Sequence, residues 1–136
     1  MTVDSYVRET EELLARDTYD AGYALVLYDM DLEKKKANAP QAIPYFKEVI
    51  DTLPDTDYAD LSYVQLGLCY EYLEQWQQAE DAYGALIKKY TDANGNPITP
   101  FSDNVVQAIR FARDRKGKIM AYRLSLEVQQ KQQSGG

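Results

Sequence analysis

The chain has no histidine, a single cysteine and no long apolar run, and each absence closes a class of chemistry. Without histidine it lacks the commonest general base, the usual zinc ligand and any Ser/His or Cys/His nucleophile pair. Cys69 has no partner for an internal disulfide. Its setting, Leu66-Gly67-Leu68-Cys69-Tyr70, is that of a small packed residue, where apolar burial raises a thiol pKa and makes it inert. No stretch approaches the ~20 apolar residues of a membrane helix, and Met-Thr-Val-Asp-Ser-Tyr has neither the basic start nor the apolar run of a secretion signal. The chain therefore reads as soluble, in a cytoplasm or periplasm. Positive charge is also short. With 15 Lys and Arg against 22 Asp and Glu, the formal charge is −7, which opposes both nucleic acid and anionic membrane surfaces. The basic runs Lys34-Lys35-Lys36 and Arg113 to Lys118 sit beside acids and read as solvated helix faces or ends.

What is present is enough for one folded domain: 136 residues, 45% of them hydrophobic. Residues 1–130 form that domain in this reading, and the polar, glycine-ended 131–136 form a disordered tail or linker. No segment alternates polar and apolar residues for long enough to make a half-buried strand. Instead, Ala42, Phe46, Val49 and Ile50 recur 37 residues later as Ala79, Tyr83, Leu86 and Ile87. A small residue, an aromatic one turn on and aliphatics after two turns make one helix face. Its repetition at this period predicts an all-α, helical-hairpin solenoid of about two repeats plus a long C-terminal capping helix.

The pattern predicts a first helix from residue 4 to about 36, broken near Asp17-Thr18 and capped by Asp4 or Ser5. Asn38-Ala39-Pro40 then reads as a turn opening a second helix to Leu53, with Asn38 as N-cap and Pro40 in the first turn. Pro54-Asp55-Thr56-Asp57 stops it and caps a third helix over 58–74. Gln75-Trp76 turns into a fourth over 77–90. Residues 91–100 are a loop. Beyond it, Phe101, Asp103 and Ile109 echo Tyr58, Asp60 and Leu66, which predicts a terminal helix over 103–130 with Arg113, Arg115, Lys118 and Arg123 on its polar outer face. Gly117 is a place for it to kink.

Tyr63, Leu66, Gly67, Tyr70, Ala79 and Tyr83 resemble the tetratricopeptide repeat signature. In that family the small residues mark the closest helix approach, here Gly67 and Ala79, with Ala24 taking the same part in the first unit. The link Pro54-Asp55-Thr56-Asp57-Tyr58-Ala59 is similar to that of bacterial envelope tetratricopeptide proteins. The resemblance implies a non-enzymatic scaffold that binds a protein or peptide segment on a concave face. The alternative is a structural or oligomerisation subdomain of a larger bacterial envelope protein or enzyme, and self-association is open to such an array. Groove candidates by the same alignment are Val64, Gln65, Leu68, Glu71 and Tyr72, with Gln107, Phe111 and Asp114 on the terminal helix. They are apolar and acidic. They do not match the Lys, Arg and Asn clamp with which family members grip a C-terminal carboxylate, and they suit an apolar or helical segment with basic flanks.

Catalytic, metal and cofactor sites are not expected. Glu71 with Glu74, or Glu9 with Glu12, are ordinary acidic helix faces. The series from Asp92 to Asp103 has the length of a calcium loop, but Gly95 comes two places early and Pro97 intrudes, so a helix-terminating turn explains it. Glu80 falls on the outer face of its helix. Circular dichroism of the chain is expected to show predominantly helix without appreciable sheet; a substantial β signal would end the solenoid reading.

Overall fold

The computed structural model describes residues 2–135. These form five helices, α1 (Val3–Tyr23), α2 (Leu32–Thr52), α3 (Asp57–Tyr72), α4 (Trp76–Lys89) and α5 (Asp103–Ser134). Among the described residues there is no strand, only one isolated bridge between Thr91 and Pro97 in the loop before α5. The all-α class is as the sequence predicts.

Three of the five helix starts are set by a local cap. Thr2, Asp31 and Thr56 accept the backbone N–H groups of Ser5, Lys34 and Ala59, satisfying donors that a helix leaves orphaned at its first turn. The first interruption is not where the pattern puts it. α1 runs unbroken through Asp17-Thr18, and the chain leaves the helix at Ala24–Asp31. The apolar run Ala24-Leu25-Val26-Leu27-Tyr28 looks helical in sequence, yet Val26 is a buried plug that lets this loop close the core. Asn38-Ala39-Pro40 lies inside α2. Asn38 caps nothing and instead donates to the Leu25 carbonyl at 2.9 Å, pinning the loop to the helix. Pro40 and Pro44 are also internal. They are one turn apart and both exposed, so the carbonyls they leave unbonded face water.

The repeat is borne out in packing. Ala42, Phe46 and Val49 are fully buried, as are Ala79, Tyr83 and Leu86, and Ile50 and Ile87 are half-buried in both units. Gly67 is the crossing point of α3 and α4, since a Cβ there would meet Tyr83 Cε1 at 2.3 Å. The matching residue in the first hairpin is Gly22 and not Ala24: a Cβ on Gly22 would meet the Tyr45 Cβ at 2.9 Å and the Phe46 ring at 3.0 Å. It escapes the alignment because the loop and the start of α2 put extra residues between it and Phe46. Small residues line the other contacts, with Ala15 and Ala59 against Val49, and Ala108 and Ala112 of α5 against the α4 core.

α3 packs on α1, α2, α4 and α5, whereas α1 and α5 do not touch each other. α3 is thus left open as a trough between α5 on one side and α1 and α2 on the other. α5 passes Gly117 without interruption and continues through Ser134, past the residue 130 at which the sequence ends it, so 131–134 are helical. Gly136 lies outside the described residues. No described helix is long and apolar enough to cross a membrane.

Two glycine-to-alanine substitutions should move stability in opposite directions. At Gly67 the new methyl collides with the Tyr83 ring, and a loss of ~1–3 kcal/mol is expected. At Gly117 nothing lies within 4 Å, so alanine should gain ~0.5–1 kcal/mol from helix propensity alone. Urea unfolding of the two variants measures both signs.

Candidate functional site

The trough is floored by α3, whose Asp57, Leu61, Val64, Leu68 and Tyr72 follow one another at helical spacing. At the start of α3 the trough opens into a cleft of about 820 Å³. Its walls come from four distant segments: Asp4, Val7, Arg8, Glu11 and Glu12 of α1; Asp55 to Asp57; Tyr90; and Ile98 to Ser102 with Val105. Five carboxylates and one guanidinium line it, with Ile98 exposed and Phe101 fully exposed as its apolar edge. Glu12 bridges its floor by accepting the Asp57 N–H at 3.0 Å, and burial raises the Glu12 carboxyl above the usual range. At the far end of α3 a second hollow of about 300 Å³ gathers Leu68, Glu71 and Tyr72 with Leu32, Lys36, Glu74, Trp76 and Arg115.

The candidates read from the sequence are only partly united. Leu68, Glu71 and Tyr72 line the hollow together. Val64 is half-buried against the α4–α5 core, and Gln65, also half-buried, lines neither opening. On α5, Gln107 and Asp114 are exposed, Asp114 pairing with Lys118 at 3.0 Å, while Phe111 sets its ring edge-on to Tyr83 at 6.4 Å and stays 38% exposed.

Glu71 is not a free acidic flank. The Tyr83 ring crosses Gly67, and its hydroxyl donates to Glu71 Oε2 at 2.6 Å. Arg115 then donates to both carboxylate oxygens, Nε at 3.1 Å to Oε2 and a terminal nitrogen to Oε1. The carboxylate, 9% exposed, ties three helices together. Asp60 repeats the arrangement three turns earlier on α3. Only 3% exposed, it accepts Lys89 Nζ at 2.6 Å and the Tyr90 hydroxyl at 2.5 Å. Burial and these acid neighbours push Tyr83 and Tyr90 well above the ordinary phenol range. Arg115 and Arg123 accordingly point inward, Arg123 onto a nearly buried Glu80, which corrects both the polar outer face assigned to them and the solvent position assigned to Glu80. A basic run on the last helix looks solvated in sequence because its partners lie more than forty residues away.

Other groups are already spoken for. Cys69 is fully buried and its thiol pushed up to about 12 by burial. Asp92 accepts the N–H groups of Asn94 and Asn96 within its own loop. The turn after α3 carries a strained residue: Glu74 adopts φ 56°, and the Glu74 and Gln75 N–H groups bond back to Glu71 and Tyr70. This is the Schellman closure that glycine usually provides. Glu74 lines the hollow.

Residues 61–93 match the family model described as Tetratricopeptide repeat. The matched stretch is the α3–α4 hairpin with Gly67 at its crossing, the unit whose residues carry the signature. A repeat of this kind points to a role in protein–protein interaction, and such repeats are generally non-catalytic. No curated protein and no solved structure matches the chain.

Glu12 gives the cleft a pH signature. A carboxyl whose folded pKa is raised costs stability above that pKa and is relieved as pH falls through it. Glu12→Gln keeps an acceptor for the Asp57 N–H without the charge. It should raise the melting temperature at neutral pH, and the gain should vanish in acid, where Glu12 is protonated in both states. Thermal melts across pH 3–8 test this; a gain that persists unchanged in acid would refute the assignment.

Proposed function

We propose that the chain is a non-enzymatic interaction module that lays a partner segment along α3, between α5 on one side and α1 and α2 on the other. The observation that supports this best is the alignment of two openings on one helix face: an acidic cleft at Asp57 and a hollow whose apolar lining is Leu32, Leu68, Tyr72 and Trp76. A segment with an apolar anchor for the hollow and basic residues for the cleft fits both. The acidic flank thus lies not at Glu71, neutralised by Arg115, but at Glu11, Glu12, Asp55 and Asp57. Phe111 supplies exposed aromatic surface on the α5 wall. The strain at Glu74, costing ~1–2 kcal/mol in this region of φ, is consistent with a turn shaped for the hollow. The kinship with bacterial envelope tetratricopeptide proteins belongs to this proposal too, through the Pro54 to Ala59 link.

A displayed peptide library panned on the chain should enrich sequences with an aromatic or large aliphatic residue close to lysine or arginine. Tyr72→Ala and Phe111→Ala should each weaken a selected peptide by ~1–2 kcal/mol, with circular dichroism showing that each variant stays folded. Normal binding by both variants, or enrichment of acidic peptides, would displace this reading in favour of a structural subdomain.

A further inference from the structure

The first and last helices both carry apolar surface that no described part of the chain covers. On α1, Val3, Tyr6, Val7, Leu13 and Leu14 share one helical face and are exposed, Leu14 by 54%, whereas Ala15 and Gly22 on the opposite face are buried. On α5, Met120, Leu124 and Val128 stand one turn apart, Leu124 exposed by 60%.

The charges around the two faces are opposite. α1 holds six acids against two bases; α5 holds seven bases against three acids. Within a chain of net charge −7, the basic charge is thus concentrated at one end. Arg115 and Arg123 are turned inward, but Arg110, Arg113 and Lys131 are exposed and fall on the same helical face as Leu124 and Val128. On α1, Asp17 and Asp20 follow Leu13 at one and two turns and are exposed with it.

We propose that a second copy of this chain covers these faces: α1 of one copy packs on the outer side of α5 of the next and extends the helical stack. Pairing α1 with α1 would set acids against acids, and α5 with α5 bases against bases, so the attractive contact is the one between unlike ends. An array whose end helices present apolar rather than polar outer faces is not closed off. A contact between unlike faces is heterologous, leaves one free end of each kind and adds copies stepwise. Val7, Asp4, Glu11 and Glu12 also line the acidic cleft, but Leu13, Leu14, Asp17 and Asp20 of α1 and the whole α5 face lie outside it, so the contact does not rest on the groove along α3.

Sedimentation velocity of the full chain over rising concentration tests this. Wild-type chain should form a ladder of sizes that shrinks at high salt, because opposite charges across the contact are screened. Leu14→Arg on the α1 face and Leu124→Glu on the α5 face should each weaken self-association at least about tenfold. Mixed together, the two variants should form a one-to-one dimer and stop there, since each retains the intact face that the other needs. A monomeric wild type at all concentrations overturns the proposal. So does a mixture that stays monomeric, or a variant that still assembles alone. Circular dichroism confirms that each variant is folded; where one is not, Val3→Arg or Val128→Glu replaces it with the same expected outcomes.

Discussion

The passage of the Tyr83 ring over Gly67 is the contact on which the rest of the molecule depends. It requires a residue without a side chain on α3, because any Cβ would sit inside the ring's van der Waals shell. It also delivers a phenol to Glu71, one turn further along, which turns a packing contact into a polar one. Arg115 reaches the same carboxylate from α5, so the third helix of this group is oriented by the crossing of the other two. Burying a carboxylate is costly unless its lone pairs are met, and here both oxygens are. The fully buried Ala79, Leu86 and Ala112 fill in around this point.

Much of that was legible in the sequence, and the part that was not fails for identifiable reasons. Ala42, Phe46, Val49 and their counterparts are read correctly because helical periodicity and side-chain size both report burial, and both are local. Gly67 is legible for the same reason. Gly22 is not, since the loop before α2 shifts it out of register with the repeat. The helix break falls at Ala24–Asp31 because Val26 finds a place in the core, a tertiary gain that a run of apolar residues cannot announce. Asn38 and Pro40, good signals for a helix start, are overridden by Asp31 about two turns earlier.

The same distinction separates what was found of the groove from what was missed. Leu68 and Tyr72 lie on one helix, and their spacing brings them together. The acidic cleft is assembled from residues near 4–12, 55–57 and 98–105, and no local pattern connects them. Charged side chains are the least legible of all. Glu71, Glu80, Arg115 and Arg123 look like solvated helix faces until the fold supplies each with its opposite.

Lys89 also donates to the Pro54 carbonyl at 2.6 Å, alongside its bond to Asp60. The end of α4 is thereby fastened to the link that precedes α3, and the hairpin closes on itself as a ring of contacts spanning residues 54 to 90. Such a ring needs nothing from α1 to hold its shape. Local opening of α1 can therefore proceed while the α3–α4 hairpin, held also by α5 through Arg115 and a shared core, keeps its shape. Partner capture along the trough would then draw on motion of the α1 wall, while the floor stays fixed.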